Sequence, residues 1–508
     1  MADVRSLRAK KNIAASLLCQ LTVLLCGMVV PRMMIGAFGS EAYGAVSSIT
    51  QFLAYVTLLE GGVGGVARAV LYEPLAKGDL KAVSAIMAEV RRFFRIIGRI
   101  VGIYVLVLAC SFRSISRLEV LDWSTSFLLV AVISISSVGQ YFIGISDSIL
   151  LQAAQKSYIT NYLNIGTTVL NALATVVLIL RGSGLITVKL VSSLIFFLRP
   201  VALWAYARKH YPRQEVPRGK EEKYLTQKWT GLGQHLAYFL HTNTDIAVLT
   251  LLTNLKTVAV YAVYNMIVSH LQSLAVSFSS GMESLFGDML ARGEYRLLEQ
   301  RFRRYESVLS VVSVTLFATA AVLLIPFLKL YTAGITDGAY LQPGFGLLLV
   351  LTALSYCLRL PYHALVTAAG HFRQTRSAAY GEALLNIGLS VVLVGKFGLC
   401  GVAAATLVAT WFRFIYYVYY LSRNILRRKP GMFGKRLAVN AAGFGLSCLC
   451  GRYVLLAMNT ADYFRWAVCG AVLVVLLGAL NLGLCLLFFP VDKAEKVPVT
   501  LQKVREIL

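Results

Sequence analysis

Charge is what this chain has least of. Only 14% of its 508 residues are Asp, Glu, Lys or Arg, and just 24 are acidic. That is too little to cover a soluble globular domain of this length. The six histidines and nine cysteines show no metal-ligand spacing, which argues against a zinc or redox module. All nine cysteines fall in apolar runs and read as small packing residues. Cys448 and Cys450 lie two apart on a helix and point away from each other, so they make a poor disulfide or metal pair. Long polar loops are also missing. The longest external candidates, near 112–124 and 331–343, are too short for a catalytic domain. Gly61-Gly62-Val63-Gly64-Gly65 has no strand before it and no Gly-Lys-Ser/Thr after it, so it is not a phosphate-cradling loop. Within an apolar span such a run permits close helix approach or bending.

Hydrophobic residues make up 57% of the chain. Apolar runs of about 20 residues, each long enough to cross ~30 Å of hydrocarbon, follow one another from end to end. Their cores are near 12–36, 44–70, 92–112, 124–147, 157–180, 184–206, 229–253, 258–286, 305–330, 344–369, 376–396, 398–422, 434–457 and 464–489. The expectation is an all-α polytopic membrane protein with about fourteen transmembrane helices. The first run is too long for a signal peptide, lacks a small-residue cleavage site and leads into further spans, so it reads as the first helix. The net charge of +25 reflects topology rather than nucleic-acid binding. Most basic residues fall on one side: Arg5, Arg8, Lys10 and Lys11, Arg91-Arg92, the 207–228 segment, Arg301 to Arg304, Arg427-Arg428-Lys429 and the tail. The positive-inside rule places that side, with both termini, in the cytoplasm.

The sequence also repeats. Ala153-Ala154 recurs as Ala368-Ala369, and Leu75-Ala76-Lys77-Gly78-Asp79 as Leu290-Ala291-Arg292-Gly293-Glu294, both offset by 215. Gly184-Leu185 recurs as Gly398-Leu399 and Arg199 as Arg413, offset by 214. Leu163-Asn164-Ile165-Gly166 recurs as Leu385-Asn386-Ile387-Gly388 at 222. Two six-helix lobes follow, residues 1–206 and 229–425. A basic linker, 207–228, joins them on the cytoplasmic side, and 426–508 adds two helices and a cytoplasmic tail. An even number of spans per lobe runs the copies in the same direction, about an axis along the membrane normal. Two related bundles are a common transporter plan, with the substrate site at their interface.

Ionisable residues at membrane depth are costly, about 2.5–3.5 kcal/mol each on the insertion scale, so each is a functional candidate. Arg68, Asp147, Glu283 and Glu382 are expected near cytoplasmic ends, where they can reach headgroups. Arg199 and Arg413 lie about 15 residues, roughly 22 Å, from the outer ends of their helices and at matching places in the repeat. Two such arginines can hold a phosphate by bidentate hydrogen bonds. Arg359, beside Pro361, and Arg32, after Pro31, extend the set to four cations for an anionic headgroup. Glu60 and Asp245 are the mid-span carboxylates. Buried carboxylates can take up protons, or coordinate Na⁺ with hydroxyls and amides such as those of Thr242, Asn243 and Thr244. Arg68 and Glu283, equivalent under the repeat and opposite in charge, are candidates for a cytoplasmic gate.

The motifs carry a resemblance. Pro31-Arg32 with Phe38-Gly39-Ser40-Glu41-Ala42-Tyr43-Gly44 is similar to the start of polysaccharide repeat-unit flippases. Leu58-Leu59-Glu60-Gly61-Gly62-Val63-Gly64 resembles their second-span motif, where aspartate is commoner than this glutamate. Thr244-Asp245-Ile246 and Val260-Tyr261-Ala262-Val263-Tyr264 resemble spans seven and eight. Gly370-His371-Phe372-Arg373-Gln374-Thr375, Glu382, Asn386-Ile387-Gly388 and Phe397-Gly398-Leu399-Cys400-Gly401-Val402 resemble spans ten to twelve. Residues of about 10–425 thus look like the multidrug/oligosaccharidyl-lipid/polysaccharide exporter (MOP) superfamily. The resemblance implies a V-shaped, MATE-like two-lobe bundle working by alternating access in a bacterial cytoplasmic membrane. It implies translocation of an undecaprenyl-diphosphate-linked oligosaccharide to the outer leaflet, with a polysaccharide polymerase or assembly proteins as partners. No cofactor is expected beyond a coupling H⁺ or Na⁺. The superfamily also contains lipid II flippases and cation or drug antiporters, and an antiporter predicts a cavity of net negative charge. A membrane polymerase or ligase needs outward catalytic residues on a sizeable loop, so the chain is not expected to be an enzyme.

Overall fold

In hydrocarbon a chain must satisfy its own backbone, and a helix does so within one segment. The computed structural model describes residues 2–60, 63–116, 122–212, 232–277, 282–426, 428, 430–458 and 460–489, and among these the regular elements are all helical. Eleven segments are long and apolar enough to cross a membrane. Two of them hold two spans each. Helix α1 (Ala2–Ala54) is bent at Gly39, φ 83°, and α13 (Phe372–Asn424) at Gly398, φ 52°. Both angles lie in the left-handed region that glycine enters without a Cβ clash. With these halves separated, and with the apolar stretch Asn243–Leu252 of α8 (Leu232–Leu252) added, the spans number about fourteen.

Several expected spans are interrupted. The second continues from α1 through a 3-10 turn at Tyr55–Glu60 into α2 (Val63–Lys77), next to the glycine run. The fourth is α4 (Trp123–Gly139), a π turn at Gln140–Gly144 and α5 (Ile145–Ala153). The eighth includes α9 (Leu255–Ser277) and α10 (Met282–Ala291), and residues 278–281 between them lie outside the described residues. Residues 213–228 of the linker and the tail from 490 lie outside the described residues.

The remaining helices follow the repeat. Helix α3 (Leu80–Ser116) and α11 (Tyr295–Tyr331) are both 37 residues long and offset by 215 at each end. Helix α5 ends at Ala153 and α12 (Pro343–Ala368) at Ala368. The turns repeat too. Gly78 and Gly293 have φ 72° and 71°, and Gln155 and Gly370 have φ 58° and 67°. Asp79 N–H donates to Pro74 O and Glu294 N–H to Met289 O, each at 3.0 Å, closing equivalent helix ends.

Backbone packing divides the described chain into two compact units. One spans Met1–Phe239 and Asn254–Ala259, the other Leu240–Thr253 and Val260–Leu508. In the first, α6 (Ser157–Leu180) packs against α1 and α7 (Leu185–His210), and α4 packs on α3 and α7. In the second, α12 packs on α11 and α13. Helices α14 (Pro430–Ala457) and α15 (Tyr463–Phe488) pack on α11, with Ala318 and Leu323 against Cys469, Leu473 and Leu477. Polar contacts fasten this pair, as is usual where lipid removes a hydrophobic drive. Asn481 Nδ2 donates to Ser447 Oγ at 2.9 Å. Glu306 of α11 accepts from Tyr362 and pairs with Arg428 and Arg436, each at 3.3 Å.

Candidate functional site

The deepest charges in the second unit form one network. Glu382, ten residues into α13, is 0% exposed. Its Oε1 accepts from Arg359 Nη1 at 2.5 Å and its Oε2 from Arg413 Nη1 at 2.7 Å. The carboxylate thus ties α12 to both halves of the bent α13. Arg413 also donates through Nε and Nη2 to Tyr417 Oη, at 3.0 and 2.7 Å. Arg359 lies over the Tyr356 ring, 5.0 Å from its centroid. At 3% and 5% exposure the two guanidiniums are as buried as core side chains. Two fully ionised arginines around one carboxylate leave a net charge of +1, held by charge-assisted bonds.

Asp245 is the centre of a second cluster in the same unit. Tyr261 Oη donates to its Oδ2 at 2.8 Å. Thr406 Oγ1 lies 3.2 and 3.1 Å from the two carboxylate oxygens, 3.0 Å from Asn386 Oδ1 and 3.0 Å from Val402 O. A hydroxyl carries one hydrogen, so it cannot satisfy four acceptors at once. Asn386 also hydrogen-bonds Asp245, so the buried carboxylate is met by Tyr261, Thr406 and Asn386. Its partners come from α9 and α13, and the side chain of Thr242 lies outside the described residues.

In the first unit Glu60 closes the 3-10 turn and accepts from Tyr141 Oη at 2.7 Å. Arg68 of α2 donates to Gln152 Oε1 of α5 at 2.7 Å. Asp147 is buried against Arg91 at 3.5 Å. Arg32 is half-buried beside the buried Pro31. Arg199 of α7 donates to the hydroxyls of Thr167 and Thr168 on α6, at 2.5 and 2.9 Å, and to Asn164 O at 3.4 Å. It also covers the Phe196 ring at 4.5 Å. Glu283 is exposed on α10 in the second unit. Of the residues singled out in the sequence, the structure joins Arg359 to Arg413 through Glu382. Glu60, Arg68 and Arg199 bond to neutral partners: Tyr141, Gln152 and the two threonines. Glu382 and Tyr261 stand in motifs read from the sequence, whereas the partners Tyr417, Thr406, Tyr141 and Gln152 were not singled out, because each comes from a different helix or a later turn. Among the described residues no group of three or more His, Cys, Asp or Glu could hold a metal ion.

No protein-family model matches the sequence, and no curated protein matches it. Solved structures do. The chain is similar to the lipid II flippase MurJ in an inward closed conformation, with a TM-score of 0.65 and 14% identity, over 94% of this chain and 99% of that one. It is similar to a multidrug resistance MATE family transporter of the MOP superfamily in an inward-facing conformation, with a TM-score of 0.60 and 13% identity, over 79% of this chain and 95% of that one. It is also similar to the MATE multidrug transporter DinF-BH, with a TM-score of 0.56 and 16% identity, over 83% of this chain and 97% of that one. The chain has the all-helical, multi-pass membrane fold that these transporters share.

Proposed function

We propose that the chain is a flippase that carries an undecaprenyl-diphosphate-linked oligosaccharide from the cytoplasmic to the outer leaflet by alternating access, for cell-surface polysaccharide biosynthesis. The observation that carries this reading is the reach of the structural likeness. The MATE transporters match 79% and 83% of the chain and the lipid flippase 94%. That difference is about the length of the α14–α15 pair. The deep arginines agree with an anionic headgroup. In this reading no bond is made or broken. The diphosphate engages Arg32, Arg199, Arg359 and Arg413, and the prenyl tail stays in lipid. Asp245 and Glu60 serve coupling to H⁺ or Na⁺. What supports this role for Asp245 is its burial among hydroxyl and amide groups, since a buried carboxylate can take up a proton or help to hold Na⁺. Arg68 and Glu283 serve a cytoplasmic gate. In this reading the lobes are residues 1–206 and 229–425, the basic linker is 207–228, and 426–508 holds the C-terminal pair and tail. The protein sits in a bacterial cytoplasmic membrane, both termini inside, and hands its substrate to a polymerase.

Deleting the chain in its host tests this. Undecaprenyl-diphosphate oligosaccharides should accumulate in the cytoplasmic leaflet and surface polysaccharide should fall, with rescue by the wild-type chain. Unchanged surface polysaccharide, together with accumulated lipid II, would move the substrate to the lipid II class. The MATE likeness gives a second reading, export of a cationic drug. It requires drug resistance to fall in the same deletion.

A further inference from the structure

The two repeats have diverged at one position in a way that assigns opposite states to two equivalent arginines. Arg413 and Arg199 are offset by 214, and Glu382 and Thr167 by the 215 that separates the starts of their helices. In the second unit the guanidinium meets a carboxylate, Arg413 Nη1 to Glu382 Oε2 at 2.7 Å. In the first unit the same geometry is kept, with the arginine on the later helix reaching back to the earlier one. Its acceptors are instead the hydroxyls of Thr167 and Thr168. Thr167 spends its own hydrogen on Leu163 O at 2.7 Å, which leaves its lone pairs for the arginine. Among the described residues no carboxylate lies within ion-pair distance of Arg199. Its contacts are neutral oxygens and one aromatic face.

A second site shows the reverse exchange. Asn386 and Thr406 flank Asp245 in the second unit. The helices start at Ser157 and Phe372, an offset of 215 that places Asn386 on Asn171 rather than on the Asn164 of the sequence motif, and Asn171 and Ser192 are bonded at 2.5 Å in the first. The place of Asp245 there falls on Val30. The first unit therefore keeps the cation that lacks a counter-charge, and the second keeps the carboxylate.

We infer that Arg199, with Thr167 and Thr168, forms a phosphate site on the α6–α7 pair of the first unit, and that Arg413 is held by Glu382 and does not serve the ligand in this state. The argument is one of charge. A guanidinium at membrane depth is costly without a counter-ion. The second unit builds its counter-ion into the protein. The first leaves that role to a ligand, and the planar fork of Arg199 suits a phosphate ester. Two hydroxyls beside it can donate to further phosphate oxygens once their hydrogens turn. The ligand class is a phosphate or diphosphate headgroup. This assignment rests on the flippase reading above, which supplies the diphosphate.

Binding to the purified full-length chain in detergent tests it, with farnesyl diphosphate as the probe and inorganic pyrophosphate and phosphatidylglycerol as competitors. Wild type should bind farnesyl diphosphate, and R199A should bind it at least about tenfold more weakly. R199K should restore binding only in part. T167E decides the matter if R199A fails to fold. It gives Arg199 a built-in carboxylate like that of Arg413, so it should lose binding while its melting temperature stays level or rises. Binding retained in both R199A and T167E would overturn the site and leave the flippase reading intact. No binding by wild type would overturn both. Equal displacement by phosphatidylglycerol would make bulk lipid the occupant and overturn the substrate assignment. Displacement by pyrophosphate alone would confirm the headgroup.

Discussion

Glu382→Gln should be among the most damaging conservative substitutions in the second unit. It keeps the side-chain shape and removes the carboxylate that pairs with two buried guanidiniums, which accept no neutralisation of their own. Breaking a buried ion pair by removing one partner costs about 3–5 kcal/mol. Against a total stability of about 5–15 kcal/mol, that is a large share. For a unit of this size it corresponds to a fall in apparent Tm of roughly 5–15 °C. Arg359→Met should cost less, because Glu382 keeps Arg413 at 2.7 Å. The triple variant R359M/E382L/R413M should recover most of the loss, since an apolar replacement of a whole buried network is often neutral or stabilising. A fluorogenic thiol dye reads this directly. Cys357 and Cys469 are fully buried, so they react as the helices separate. An E382Q variant melting within about 2 °C of wild type would refute the claim that the network holds α12 to α13.

Asp245→Asn or Thr406→Val should leave the protein in the membrane and remove its response to an imposed H⁺ or Na⁺ gradient, measured in energised vesicles. Unchanged gradient dependence in both would remove the cluster from coupling, and Glu60→Gln gives the parallel test in the first unit. Cysteines placed singly in 207–228 of a cysteine-free chain should resist an impermeant maleimide in intact cells. Ready labelling there would reverse the orientation. Arg68→Glu and Glu283→Arg should each impair transport and the double exchange should restore part of it. Absence of rescue, with no cross-linking of cysteines at 68 and 283, would end the gate proposal.

The spans were legible because lipid leaves the backbone few choices, so apolar length alone marks a helix. The repeat was legible as well. The offset read from Gly78 and Gly293 also places the ends of α3 and α11 and the left-handed residues Gln155 and Gly370. The interruptions were not. A 3-10 turn at Tyr55–Glu60 and a π turn at Gln140–Gly144 depend on how neighbouring helices crowd the backbone, and hydropathy does not register that. The partners of the deep charges were hidden for a similar reason. Arg359 and Arg413 meet Glu382 only because α13 bends at Gly398 and returns its second half beside its first. A comparison of the two copies was open in the sequence: Glu382 and Thr167 occupy the same place ahead of their arginines.

The most direct measurement is flipping itself. Proteoliposomes holding the purified chain and a fluorescent undecaprenyl-diphosphate oligosaccharide can be treated with a membrane-impermeant quencher, with and without an ion gradient. Headgroups should become accessible beyond the outer-leaflet half at a rate that depends on the chain, and the R199A variant should be slow. Accessibility equal to that of protein-free liposomes, alongside gradient-driven uptake of a cationic drug, would contradict the account.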